Sequence, residues 1–430
     1  MASATATTPT TGLVLTGGGA RAAYQVGVLK AVARIRRETG APRINPFGVI
    51  SGTSAGAINA AALACHADRF DHAVAGIVHV WRHFKAEQVY RADAFGVVRT
   101  GARWLTMLTA GWALARWRRA RPRSLLDNSP LADLLPHAID FERLPAMLEG
   151  GHLRALAIAA SSYSAGEHVT FCQTAAPFEP WARSQRVAVR STITLQHLLA
   201  SSAIPFVFPA VSLPVEGQMQ WFGDGSMRQS APISPAIHLG AERLMVIGAG
   251  RMQEPALATA PCSDDTDYPS LARIAGHALS NIFLDALAVD VERLARINRT
   301  LQLLPPSERA RSGLRPIDVL VIAPSQRLDD IAARHIGHLP RAVRALLRGV
   351  GVEGAGAQAH GGAALASYLL FESPYTRELI ELGAADAMAR RDELIAFFGW
   401  PSQTVPRESR DAWPVTQAGG LACPTDLMPL

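Results

Sequence analysis

Short apolar runs alternate with helical periodicity along the first seventy residues of the chain. The run GLVLT at 12–16 predicts a buried strand, and apolar residues three and four apart predict a helix over 20–37. A second buried strand is predicted at 46–50, and a helix of small residues over 55–66. Because strands that alternate with helices favour parallel pairing, this order predicts an α/β layered fold.

The same patterns continue in the rest of the chain. Further strands are predicted at 153–160, 168–172, 244–249 and 317–323. Helical periodicity returns at 191–200, at 267–300 and over most of 331–400. We therefore expect a three-layer α/β/α sandwich with a mixed, partly parallel central sheet and a helical C-terminal region.

Composition suggests where this α/β domain begins and ends. Residues 1–10 are rich in Ala, Thr and Pro and are predicted to be a disordered tail. The α/β domain is expected over 11–330 and the helical C-terminal region over 331–400. Residues 401–430 are rich in Pro and polar side chains and are expected to form a second tail.

The net charge of +6 is unevenly distributed along the chain. Residues 95–123 contain seven Arg and no acidic residue, so the remainder of the chain carries a net charge of −1. A general nucleic-acid-binding protein is therefore not expected. With Trp104, Trp112 and Trp117, this segment suits a helix lying in an anionic membrane interface, or equally a helix packed on the domain with its Arg face in water.

The remaining composition indicates a globular protein in a reducing compartment. Hydrophobic residues make up 49% of the chain and charged residues 18%. The four Cys are widely spaced, which predicts free thiols, and the first residues lack the pattern of a secretory signal. A cytoplasmic location is expected, with peripheral membrane contact as the alternative. Neither a cofactor nor a metal is expected, and the oligomeric state is left open.

A Gly-x-Ser-x-Gly sequence joins the second predicted strand to the helix that follows it. Gly52 and Gly56 leave room for a strained turn that exposes the Ser54 hydroxyl beside a helix N-terminus. The same letters also describe an ordinary tight turn of small residues. The motif alone leaves both interpretations open.

Three glycines, Gly17, Gly18 and Gly19, follow the first predicted strand. Glycines at this position expose backbone N–H groups that favour an anion or an oxyanion, and Arg21 adds positive charge to the same turn. A nucleotide loop is disfavoured because Ala22 replaces the third glycine of the dinucleotide fingerprint and no Gly-Lys-Ser/Thr follows.

The third motif is an Asp-Gly turn at Asp224, which alone is most often just a turn. Together the three motifs resemble the patatin-like phospholipase family in type and order. The resemblance also covers 200–211, similar to the acyl-site segment of bacterial members, and 367–387, similar to a feature of one bacterial subgroup. It extends from about residue 12 to 390.

The resemblance implies a function and a set of site residues. It implies a serine lipid acyl hydrolase of the phospholipase A or lysophospholipase type, acting on membrane lipid or a similar ester. Alternatives are an acyltransferase, an esterase on other substrates, and a lipid-binding module with vestigial activity. The implied roles are nucleophile for Ser54, general base for Asp224, oxyanion loop for Gly17, Gly18, Gly19 and Arg21, nucleophile elbow for Gly52 and Gly56, and substrate binding for Pro205 and Phe206.

This sequence departs from the family pattern at two positions. Ala22 stands where a glycine is usual, and Ser226 follows the Asp-Gly pair. We expect Ala22 to be tolerated because it is small. A hydrogen bond from Ser226 to Asp224 would tend to lower the basicity of that carboxylate.

The sequence also offers two alternative sites, a Ser-His-Asp triad and a metal-binding helix. An α/β-hydrolase triad would need a His after the Asp, and His238 and His277 satisfy that order. The chain instead places only one strand before Ser54, which disfavours that fold. His79 and His83 are spaced as on a metal-binding helix, but Val80 occupies the position of the required Glu.

Overall fold

The computed structural model of the chain describes residues 9–91, 124–250, 271–349 and 360–401. The expected N-terminal and Pro-rich tails lie almost entirely outside these ranges, and so does the Arg- and Trp-rich segment 95–123. Within the described residues, no helix combines the length and apolarity needed to cross a membrane.

One mixed sheet forms the centre of the fold. Its ten described strands are β1 (Thr11–Leu15), β2 (Val49–Thr53), β3 (Ala155–Ser162), β4 (His168–Thr174), β5 (Ala182–Arg183), β6 (Arg186–Arg190), β7 (Val211–Val215), β8 (Gln218–Asp224), β9 (Arg243–Ile247) and β10 (Asp318–Ile322). The order is β10-β9-β1-β2-β3-β4-β6-β5, and the β7–β8 hairpin pairs with β3 through β8. The pairs from β10 to β3 are parallel, whereas β4 and β8 run antiparallel to β3.

Helices cover both faces of this sheet. The α-helices in the described ranges are α1 (Ala23–Glu38), α2 (Ala55–Ala64), α3 (Phe70–Arg82), α4 (Ser129–Ala138), α5 (Arg143–Glu149), α6 (Leu195–Ser201), α7 (Ser234–His238), α8 (Leu271–Leu303), α9 (Pro306–Arg311), α10 (Leu328–His335), α11 (Arg341–Gly349), α12 (His360–Leu369), α13 (Ser373–Ala389) and α14 (Arg391–Phe398). Two short 3₁₀ turns, Gly19–Ala22 and Gly225–Arg228, belong to the candidate site described below.

Alternate residues of the central strands feed two apolar layers. In β1, Leu13 and Leu15 pack into the layer that contains α1 to α3 and the C-terminal helices. Val14, between them, packs into the layer that contains α7 and α8. Because successive strand side chains point to opposite faces, the apolar run of β1 serves both layers. The expected three-layer α/β/α sandwich with a mixed sheet and a helical C-terminal region is confirmed.

The boundaries of some elements differ from the prediction. The second strand was placed at 46–50, but β2 runs from Val49 to Thr53, because its pairing with β1 and β3 continues through Gly52. The β7–β8 hairpin has no counterpart in the prediction. Its turn residues Glu216 and Gly217 both have positive φ, 50° and 80°, as a type I′ turn requires, and Glu-Gly is a weaker hairpin signal than Asn-Gly.

Helix α13 crosses α1 at very short range through two glycines. A Cβ atom on Gly27 would lie 2.0 Å from the carbonyl oxygen of Ile380, and one on Gly383 would lie 2.2 Å from that of Tyr24. No side chain fits at either position without moving a helix backbone. The C-terminal region therefore packs against the first helix of the α/β domain as part of the same core.

We predict that Gly383→Ala destabilises the protein by at least about 1–3 kcal/mol, because the added methyl group overpacks this helix crossing. Gly76→Ala is the matched control, since Gly76 lies in helix α3 with no atom within 4 Å of the added Cβ. That control should gain up to about 1 kcal/mol. Equilibrium unfolding in urea measures both, and equal stability of the two variants would contradict the close crossing.

Candidate active site

Ser54 lies at the turn between β2 and α2, in a backbone conformation that few non-glycine residues adopt. Its φ is 56° and its ψ −131°. Such a conformation costs about 1–3 kcal/mol and persists only where the surroundings fix it. The side chain is placed at the N-terminus of a ten-residue helix, whose dipole favours negative charge nearby. Ser54 is buried, with 1% of its surface exposed.

The two glycines of the motif are required by space. A Cβ atom on Gly52 would lie 2.6 Å from the Cα atom of Ala57, inside the turn. A Cβ atom on Gly56 would lie 2.4 Å from the carbonyl oxygen of Leu15, at the end of β1. Because Gly56 has no side chain, the start of α2 lies directly against the end of β1. The glycine loop, which follows β1, therefore lies next to Ser54.

Ser201 holds the strained turn in place. Its hydroxyl accepts a hydrogen bond from the backbone N–H of Ser54 at 2.8 Å and donates one to the carbonyl oxygen of Ala159 at 2.6 Å. Ser201 is fully buried at the end of α6. No role is predicted for Ser201 from the sequence, because nothing in the local pattern links two residues 147 positions apart.

Strand pairing brings Asp224 to Ser54 across β3. Thr53 pairs with Ala159, and the next residue of β3, Ala160, pairs with Asp224. The Ser54 hydroxyl donates a hydrogen bond of 2.6 Å to Oδ2 of Asp224. The backbone N–H of Ser226 donates to the other carboxylate oxygen at 2.9 Å.

The electrostatics of Asp224 differ from those of a carboxylate in water. Burial raises the pKa of Asp224 to about 6. The hydrogen bonds from Ser54 and from the Ser226 backbone lower this pKa, but burial has the larger effect. The bond expected from Ser226 is made by its N–H. The carboxylate is a stronger base than an exposed Asp.

The glycine loop presents backbone donors on the other side of the turn. Within the described residues, the N–H groups of Gly17, Gly18 and Gly19 donate to no acceptor. Gly19 has a φ of 54°, and a Cβ atom there would lie 2.3 Å from the carbonyl oxygen of Tyr368. Free N–H groups at a helix start are suited to an anionic oxygen.

A buried polar network fixes this loop relative to helix α2. Gln25 Nε2 donates to the carbonyl oxygen of Thr16 at 2.7 Å. Asn59 Nδ2 donates to the carbonyl oxygen of Ala22 and to Oε1 of Gln25, and Trp81 Nε1 donates to Oδ1 of Asn59 at 2.8 Å. Helices α1, α2 and α3 thus hold one loop through side chains that were not predicted as site residues.

Arg21 was expected to add positive charge to the oxyanion loop. The structure places its guanidinium, which is buried, in an ion pair with Asp329 and in a hydrogen bond of 2.7 Å with Ser367. The same group lies 4.1 Å from the ring centre of Tyr368. Its charge is therefore paired with Asp329 of α10, and through Ser367 Arg21 ties the C-terminal region to the loop.

The segment with Pro205 and Phe206 follows α6. It meets the site at Ala203, whose carbonyl oxygen accepts the backbone N–H of Asp224 at 2.9 Å. Phe206 has a φ of 64° and is 70% exposed. Its carbonyl oxygen accepts the N–H of Leu125 at 2.8 Å.

The histidines of the rival sites lie elsewhere. His238 stacks on Trp181 with ring centres 4.7 Å apart, in the layer of the sheet that contains α7. The side chain of His277 lies outside the described part of the structure. His79 and His83 contact each other, and among the described residues no group of three or more potential ligands could hold a metal ion.

Comparison with known proteins identifies the family. The model of the patatin-like phospholipase family matches residues 13–237, which is more than half of the chain. The chain therefore belongs to the patatin-like phospholipase family, whose members are lipid acyl hydrolases.

Other comparisons add little to this result. No curated protein matches the chain. Among solved structures, VipD from Legionella pneumophila is similar at a TM-score of 0.31 and 14% identity, with 87% of this chain and 67% of that chain covered. A TM-score this low supports no argument about the site.

We predict that Asp224→Asn changes how stability depends on pH. Because the pKa of Asp224 is higher in the folded chain than its ordinary value of 3.8, the wild-type protein loses stability as pH rises from about 4 to about 6. The variant lacks that loss and should gain about 3 kcal/mol relative to wild type over this interval. Urea unfolding at pH 4 and pH 7 measures it, and a pH-independent difference would contradict the raised pKa.

Proposed function

We propose that the protein hydrolyses carboxylic esters of lipids through a Ser54–Asp224 dyad. The observation that carries this proposal is the direct hydrogen bond of 2.6 Å between the Ser54 hydroxyl and the buried Asp224 carboxylate. Family membership supports the reaction class, and the backbone geometry of Ser54 supports its role as nucleophile. The dyad needs no histidine.

In the first half of the reaction, the Ser54 oxygen attacks the ester carbonyl carbon while its proton passes to Oδ2 of Asp224. The carbonyl π electrons move to the oxygen, and this oxyanion receives hydrogen bonds from the N–H groups of Gly18 and Gly19. The alcohol then leaves with the proton held by Asp224, and an acyl-Ser54 ester remains. Water completes the cycle with Asp224 again as base, and it releases the carboxylic acid.

A raised pKa suits Asp224 for this role. A carboxylate with an ordinary pKa near 4 binds a proton too weakly to take one from a serine hydroxyl. Burial brings the pKa to about 6, closer to neutral pH, while the carboxylate remains mostly ionised at pH 7. The free N–H groups of the glycine loop and the α2 dipole stabilise the oxyanion. In a Ser-His-Asp triad, the imidazolium supplies part of this stabilisation.

The proposed substrates are phospholipid or lysophospholipid esters at a membrane. The buried Ser54 must become accessible to the ester before it reacts. The Arg- and Trp-rich segment 95–123 stays a proposed site of contact with anionic lipid, on its composition alone.

We predict that Ser54→Ala abolishes fluorophosphonate labelling and ester hydrolysis, and that Asp224→Asn lowers hydrolysis by about 10²–10⁴-fold. In the wild type, kcat/KM should rise with pH through about 6, as Asp224 loses its proton. Single substitutions of each His to Ala are the controls and should retain activity. A folded His variant without activity would contradict the dyad.

We further predict that Ser201→Ala lowers kcat by about tenfold or more while KM changes little. The variant leaves the Ser54 N–H without its buried acceptor, so the nucleophile loses its fixed orientation. Ser202→Ala, one residue further on, is the matched control, since the Ser202 hydroxyl bonds only within its own helix. Partial recovery in Ser201→Thr would separate positioning from a general loss of packing, and equal kcat in the two alanine variants would refute the role.

A further inference from the structure

An exposed apolar surface lies on the hairpin that delivers Asp224. Met219 and Trp221 of β8 are 64% and 51% exposed, and Tyr163, after β3, is 48% exposed. Met219 pairs with the exposed Pro214 of β7, so the two side chains share a face. We call these four residues the aromatic face.

The aromatic face lies on the strand that carries Asp224, although successive side chains of that strand point to opposite faces. The backbone N–H of Tyr163 donates to the carbonyl oxygen of Trp221 at 2.8 Å. Its phenol ring covers Gly223, where a Cβ atom would lie 2.2 Å from the hydroxyl oxygen. Gly223 directly precedes Asp224, and burial together with the Asp224 charge raises the pKa of Tyr163. Whatever binds this face is thus held against the residue that directly precedes the proposed base.

The surroundings of the aromatic face are positively charged. The segments 163–167, 182–186 and 211–228 carry three Arg but, besides the buried Asp224, only two Glu. Arg186 lies in the same row of the sheet as Gly223, through His168 and Ser161. Arg228 lies at the turn after Tyr163, with Nη2 4.0 Å from a Cβ atom built on Gly166. None of these three Arg forms an ion pair with any described residue. Their charge complements anionic headgroups.

We propose that the aromatic face is the surface with which the protein contacts an anionic lipid bilayer, an inference that rests on the proposed function. Tyr and Trp side chains are apolar with one polar group, which suits the headgroup region of a membrane. Met219 and Pro214 supply apolar area without charge, and the neighbouring Arg residues contact lipid phosphates. The hairpin that carries Asp224 then lies at the surface of that bilayer.

The test uses the full-length Ser54→Ala protein, so that binding is measured without hydrolysis and failure of the proposed chemistry does not affect it. Vesicles of phosphatidylcholine with about one third phosphatidylglycerol are sedimented with the protein at low salt. Trp221→Gln with Met219→Gln should lower the partition coefficient at least tenfold. Leu303→Gln with Leu314→Gln, at residues 85% and 55% exposed before edge strand β10, is the control and should lower it less than twofold.

A second measurement locates the contact. Brominated phosphatidylcholine in the vesicles quenches Trp fluorescence on contact, and Trp221→Phe should still bind but lose most of this quenching. Undiminished quenching in that variant would assign the contact to other Trp residues, such as those of 95–123, and overturn the proposal. Equal vesicle binding by the Trp221/Met219 and Leu303/Leu314 double variants would also overturn the proposal. So would a dimer that dissociates only in the Trp221/Met219 double variant, because the face would then be a contact between two copies of the chain. Fluorophosphonate labelling of the unmodified protein tests the proposed function separately.

Discussion

The burial of the Asp224 carboxylate is the constraint on which the rest of the site depends. A carboxylate removed from water must receive hydrogen bonds, and here the Ser54 hydroxyl and the Ser226 N–H supply them. The same burial raises the pKa of Asp224 to about 6. One environment therefore both fixes the Ser54 hydroxyl and makes the carboxylate that accepts its hydrogen bond a stronger base.

Holding that pair requires several elements that are distant in sequence. The strained backbone of Ser54 is fixed by Ser201 from α6 and by the close contact of Gly56 with the end of β1. The glycine loop is held by Gln25 and Asn59 from two different helices. Each of these supporting residues is buried, and a polar group left without its hydrogen bond in the protein interior costs about 1–3 kcal/mol. The supporting residues therefore hold the site rigidly.

The C-terminal helices belong to the same assembly, although they lie beyond the segment that the family model matches. Helix α13 crosses α1 through two glycines, and the carbonyl oxygen of Tyr368 lies against Gly19. Arg21 pairs with Asp329 instead of presenting its charge to the oxyanion. This part of the chain packs on the glycine loop.

The sequence by itself determined the layered α/β fold, because apolar strands and helical periodicity depend on local spacing. It also singled out Ser54 and the glycine loop, because a sharp turn and a close backbone approach restrict the residue types at those positions. Asp224 was singled out only by the resemblance of the three motifs together to the patatin-like family. Only the tertiary structure decided which side chains meet. Ser201 reaches Ser54 across 147 residues, Arg21 turns to Asp329 across 308, and the unpredicted β7–β8 hairpin delivers Asp224 beside an exposed aromatic face. Such pairings depend on sheet order and helix crossing, and no local pattern in the chain encodes them.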